Sequence, residues 1–354
     1  MNIALWAPFL KKRISGFESF IVETIPQFTL REPNISFFII TDAEPSCQLA
    51  LPGNTEIIIT KSRHQSTLLN KIWWNVQLPA VLKKIKADLF VSFAENCSLT
   101  AVIPQFIVIG EPEKLKSSSI KKAQLVFVMS ESIKTQLIEK YKAAHEKIVV
   151  IYPAPGTYHA PVDANKREEI KATHSESKEF FLYNSRFEKQ EDLIDLLKSF
   201  SHFKKRQQSG FKLLLFVESN PFFEKTISAY KYRNDIKFVE TKDKNVQAAI
   251  TSAAYAAVLP FNTSGDIIAA LNGMRSGVPV ITTKLSSINE VAGDAAVYAE
   301  NETKDIGDKM IQVYTNEDFR SRLIERGKET VKGFTHEKAA ERLWQSIINA
   351  YKMI

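Results

Sequence analysis

Short runs of consecutive apolar, β-prone residues recur along the chain, and between them hydrophobic positions fall at three- and four-residue intervals. In the first half the runs lie at 3–7, 36–41, 56–60, 88–92, 106–109, 125–129 and 147–152. Segments of helical period separate several of them, among them 66–86 and 130–142, where Ser130 is placed to cap the helix start. Runs that are apolar throughout predict strands buried on both faces. Strands separated by helices predict a parallel sheet covered on both sides.

The rhythm breaks once. Pro153, Pro155, Gly156 and Pro161 precede a polar stretch, 163–178, which reads as part of an interdomain connection. The pattern then restarts, with predicted strands at 179–184, 212–217, 235–239 and 255–260 and predicted helices at 191–207, 222–232 and 244–252. A bland helix at 266–276, with little to attract water beyond Asp266, Asn272 and Arg275, leads into another strand. The last helix is expected to start after Thr335. The expected organisation is an α/β chain: a domain at 1–155, a linker at 156–178, a second domain at 179–334 and a terminal helix at 335–354.

A length of 354 residues exceeds what one ordinary core accommodates, which agrees with two domains. Its 44% apolar and 25% charged residues are globular values. No apolar run approaches the roughly 18 residues of a membrane span, and Met-Asn-Ile-Ala-Leu-Trp reads as a first strand rather than a signal peptide. Cys47 and Cys97 give neither a disulfide framework nor metal spacing, so a cytoplasmic protein is expected. About +5 of the formal net charge of +7 falls in residues 1–155. Its basic runs (Lys11, Lys12 and Arg13; Lys83, Lys84 and Lys86; Lys114, Lys116, Lys121 and Lys122) suit either a solvated face or attraction to an anionic membrane surface or a phosphate-bearing acceptor. No nucleic-acid partner is expected.

In doubly wound sheets ligands sit beyond the carboxyl ends of the strands, so polar residues just after a strand are the first candidates. In the second half these are Ser185, Arg186, Glu188 and Lys189, then Ser219 and Asn220, then residues 262–266. Arg186 and Lys189 flank a helix start, where a guanidinium, an ammonium and free N–H groups converge on an anion, unless Glu188 or Glu191 consumes the cations. The helix opening at Asp266 suits either a ligand seeking backbone donors or plain packing. In the first half, Gly16 would let a backbone approach a ligand. The six histidines lack metal-ligand spacing and read as surface residues. Hydrolase-elbow, dinucleotide and P-loop motifs are absent, and no metal is expected.

Five segments in order resemble one family. They are Lys71-Ile-Trp-Trp-Asn75 through Lys86-Ala-Asp88; 123–130 with Glu146 to Pro153; Leu182-Tyr-Asn-Ser-Arg186 with Lys189 and Asp192; Gly277-Val-Pro-Val280 with 287–296; and Phe334 to Arg342. Together they are similar to the retaining glycosyltransferases of the GT-B fold, glycosyltransferase family 4 or group 1.

The resemblance implies two doubly wound Rossmann-like domains facing a central cleft, with the terminal helix returning toward the first. It implies transfer of a sugar from a nucleotide-sugar donor to a saccharide or lipid-linked acceptor with retention, in cell-surface polysaccharide or glycolipid synthesis, without cofactor or obligatory metal. Arg186 and Lys189 would stabilise the diphosphate leaving group. Ser15 and Gly16 would offer it backbone N–H groups, Val239 would lie near the base, and the loop carrying Ser264 and Gly265 would face the donor sugar. Where the family keeps two glutamates, ungapped alignment from Gly277 puts Ser264 and Asn272. Asn272 can still bond a ribose hydroxyl, and Asp266 would partly replace the missing charge. The family's first-domain histidine is also missing, and Glu111 is the candidate acceptor base or sugar contact there. Three outcomes follow: an active transferase with an altered donor site, a GT-B pair that binds or scaffolds without catalysing, or, as the weakest reading, a sugar-phosphate or nucleotide-sugar epimerase of the same two-domain architecture.

Overall fold

All strand pairings among the described residues are parallel. The computed structural model describes residues 1–8, 16–45, 51–60, 67–187, 189–217, 220–241, 243–261, 265–284, 287–300 and 302–353. Two compact units are present, Met1–Pro153 with Thr335–Ile354, and Ala154–Phe334. No helix among the described residues is long and apolar enough to cross a membrane.

Unit 1 contains strands β1 (Asn2–Trp6), β2 (Ser36–Thr41), β3 (Thr55–Ile59), β4 (Leu89–Ser92), β5 (Gln105–Val108), β6 (Leu125–Val128) and β7 (Ile148–Val150), in the sheet order β3-β2-β1-β4-β5-β6-β7. The chain steps outward in one direction from β1 to β3 and in the other from β4, so connections diverge at the β1/β4 boundary. Ile3, Leu5, Leu89, Val91, Phe106 and Ile107 are buried, as strands covered on both faces require.

The segment read as one helix over 66–86 is described from residue 67, as Thr67–Ile72, a widened π-turn at Trp73–Gln77, and Leu78–Lys84. The wider turn lets neighbouring Trp73 and Trp74 both point inward against Trp6, at ring distances of 4.2 and 5.9 Å. Pro79 has no N–H to give the carbonyl of Asn75, and the Thr100 hydroxyl donates to that carbonyl instead, at 2.6 Å.

The terminal helix, His336–Lys352, packs on the helix Phe17–Leu30. This corrects the surface reading for His336. It is buried, stacks on Phe20, shares a 2.9 Å hydrogen bond with Thr24 and faces the Glu23 carboxylate at 3.4 Å.

Gly16 caps the helix Phe17–Leu30 with φ 54° and ψ −122°, a conformation essentially reserved for glycine. Gly16→Ala is therefore expected to destabilise the chain by about 1–3 kcal/mol, read as a lower urea midpoint with an unchanged m-value.

Unit 2 contains β8 (Phe180–Tyr183), β9 (Lys212–Leu215), β10 (Ile236–Phe238), β11 (Ala256–Leu259), β12 (Val280–Thr283) and β13 (Ala296–Ala299), in the order β10-β9-β8-β11-β12-β13. Alternate residues of β8 serve opposite layers. Phe181 and Tyr183 join a cluster with Leu193, Phe200 and Met310, whereas Phe180 and Leu182 join one with Ile170, Ile250 and Ala253.

The stretch 163–178, read as a polar connection, instead contains a helix, Ala164–Ser175, capped by the Asp163 carboxylate and packed on the helix Lys244–Ala253. Ile170 is its buried anchor. Polarity elsewhere in the segment masked a helix that needs only a narrow apolar stripe.

Candidate functional site

In unit 2 the chain leaves β8 toward β9 on one side and leaves β11 toward β12 on the other, so the carboxyl ends of β8 and β11 border the topological switch point. Aromatic packing fixes the turn after β8. The Tyr183 hydroxyl donates to the carbonyl of Arg186 at 2.8 Å, and the Phe187 ring stacks on Tyr183 at 4.3 Å. Phe187 is further held edge-on by Phe223 and Phe261. With the backbone clamped, the side chains of Arg186 and Lys189 stand exposed at the start of the helix Gln190–Gln207.

Lys189 caps that helix, and its N–H donates to the Asp192 carboxylate at 3.0 Å. One of the backbone donors expected for an anion is thus taken by the helix's own acid. Glu188 lies outside the described residues.

After β11, Ser264 lies outside the described residues, and Gly265 precedes the helix Asp266–Arg275. Asp266 is 1% exposed and accepts a hydrogen bond from the Ser185 hydroxyl. A carboxylate in a first helical turn is favoured by the unpaired N–H groups there. The pair ties the end of β8 to the helix that follows β11, across the switch point. Asp266, expected to lend charge to a sugar, is instead enclosed, because Ser185 and its own helix start claim it. Asn184, the residue before Ser185, has its Oδ1 buried with no hydrogen-bond partner, a costly state unless a further donor arrives.

Two of the expected donor contacts are also engaged within the protein. The Val239 side chain is buried in the core with Leu182 and Leu214, and its N–H bonds the carbonyl of Leu215. Asn272 Oδ1 accepts the N–H of Gly156 at 2.8 Å. Its oxygen fastens the segment entering unit 2. Arg275 Nε donates to the carbonyl of His159 at 2.9 Å, securing the same segment.

In unit 1, Ser15 lies outside the described residues, and Gly16 starts its helix as described above. Glu111 follows β5 and pairs with Lys114, which departs from a base held ready for an acceptor. Sequence reading missed Glu95, just beyond β4. Its Oε1 accepts the N–H groups of Glu111 and Gly110 at 2.9 and 3.3 Å and so shapes that turn. Burial, and secondarily the nearby Glu111 charge, push the Glu95 carboxyl up, while the backbone donors pull it down. Inspecting strand ends in the first half as in the second would have found it. Gly110 is required there, since a Cβ would lie 2.3 Å from the Phe17 ring.

Residues 165–330 match the family model described as Glycosyl transferases group 1. An uncharacterized glycosyltransferase of Bacillus subtilis is 26% identical over 243 residues, 66% of this chain and 63% of its own length. The chain spans 34% and 63% of the lengths of the first curated relatives it matches. Among solved structures, Anabaena HepE in complex with UDP and glucose superposes with a TM-score of 0.77 at 13% identity, over 99% of this chain and 100% of that one. WaaG, a glycosyltransferase involved in lipopolysaccharide biosynthesis, gives 0.75 at 12% identity, over 97% and 98%. At such identities these likenesses establish the fold, two parallel α/β sheets of the GT-B type.

Proposed function

We propose, for a chain of the GT-B fold whose residues 165–330 belong to the glycosyl transferases group 1 family, that it moves a sugar from a nucleotide sugar to a saccharide or lipid-linked acceptor with retention. The observation that carries this reading is the pair of exposed cations, Arg186 and Lys189, held at the switch point by the Tyr183 and Phe187 clamp. As the bond from the anomeric carbon to the diphosphate breaks, negative charge gathers on the leaving phosphate. A guanidinium and an ammonium fixed there favour that charge most when it is fully developed.

The likeness to HepE, solved with UDP and glucose, makes UDP-glucose the first donor to try. The likeness to WaaG supports a pathway in cell-surface polysaccharide or glycolipid synthesis. A cytoplasmic location agrees with two cysteines lacking disulfide spacing.

The test offers UDP-, GDP- and dTDP-linked hexoses with a panel of saccharide acceptors and reads the product's anomeric centre by NMR. An α-linked product from an α-linked donor is expected. The rate is expected to be the same in EDTA, because protein cations supply the leaving-group charge. An inverted product, or isomerised donor without transfer, overturns the reading. The alternative is a catalytically impaired binding or scaffolding partner, favoured by the commitment of Asn272 Oδ1 to Gly156. Diphosphate binding with no transfer to any acceptor selects it.

A further inference from the structure

The segment that turns Trp73 and Trp74 inward leaves its opposite side bare. Leu68 and Val76 are 67% and 62% exposed, and Leu69 and Ile72 are exposed beside them. Positions 68, 72 and 76 recur at four-residue spacing and form one stripe. Asn75 fastens a loop to this side, its Oδ1 accepting the N–H of Leu99 at 2.8 Å. That loop adds Leu99 and, farther along, Val102, which is 95% exposed. Single exposed apolar residues are ordinary, but a contiguous group marks a contact surface.

Charge identifies what the surface meets. From Ile57 to Ala87 the sequence has no Asp or Glu and six Lys or Arg. Lys71 flanks the stripe, and Lys83, Lys84 and Lys86 stand exposed at and just beyond the end of the helix Leu78–Lys84 that follows it. A stripe carried by a stretch of sequence with basic and no acidic residues complements the headgroup region of an anionic bilayer, where apolar side chains enter and lysines reach lipid phosphates. We infer that this face of unit 1, led by Leu68, Ile72 and Val76, rests on the surface of an anionic lipid bilayer. The inference does not depend on the donor chemistry of unit 2. It moves the membrane contact from general basic runs to one apolar face with a basic border.

The experiment floats the full chain with phosphatidylcholine vesicles containing about a third phosphatidylglycerol, the anionic component, and with phosphatidylcholine alone. Binding to the anionic vesicles is expected to be at least about tenfold tighter. Lys83→Ser with Lys84→Ser should weaken it about fivefold per lysine, as expected for single basic residues near such a surface. Ile72→Ser with Val76→Ser should weaken it about tenfold or more, with an unchanged unfolding midpoint. High salt should leave a residual binding in the wild type that this apolar variant lacks. Absence of wild-type binding to anionic vesicles overturns the proposal, as does equal binding by the folded apolar variant. A wild-type dimer that the apolar variant abolishes, with no vesicle binding, overturns it too and assigns the face to a second copy of the chain.

Discussion

Replacing Arg186 and Lys189 together by alanine is expected to lower kcat/KM for the nucleotide sugar at least about a hundredfold and to weaken nucleoside diphosphate binding, measured by calorimetry. Charge-assisted hydrogen bonds are worth about 1.5–3 kcal/mol each, and their advantage grows as the leaving group gains charge. Both side chains are exposed, and Tyr183 and Phe187 hold the turn, so the fold should survive. The single substitutions should not sum to the double, because both cations act on one anion and each partly compensates for loss of the other. Arg186→Lys should retain part of the activity, since a point charge replaces a planar fork. Unchanged diphosphate affinity in the double variant would remove the donor site from this turn.

The two-unit parallel architecture was legible because its strands are buried on both faces and read as unbroken apolar runs. The carboxyl-end rule then led to Arg186, Lys189 and the start of the helix at Asp266. What sequence could not supply was which polar group is already spent. Asp192 fills the Lys189 N–H, Gly156 takes the Asn272 oxygen, and Ser185 takes Asp266. These partners lie 3, 116 and 81 residues away, and the two distant ones have no local signature. The helix Ala164–Ser175 was missed for the complementary reason: its single buried apolar residue, Ile170, does not stand out in a polar segment.

Asp266 gives the sharpest separation between charge and position. Asp266→Ala removes the acceptor of the Ser185 hydroxyl at a site only 1% exposed, and it leaves a cavity there. The expected cost is about 2–4 kcal/mol in urea unfolding, with kcat/KM falling at least about tenfold as the two sides of the switch point lose their tie. Asp266→Asn keeps an oxygen for Ser185 and nearly the same volume but removes the charge. If the carboxylate acts by position, as its enclosure argues, the asparagine variant keeps most of the stability and transfers sugar within about tenfold of the wild type. A folded Asp266→Asn variant that binds donor but does not turn over would instead show that the charge itself is felt at the reacting centre. Asp266 would then do the work of the acid missing at position 264, and Ser185 would be the residue that orients it.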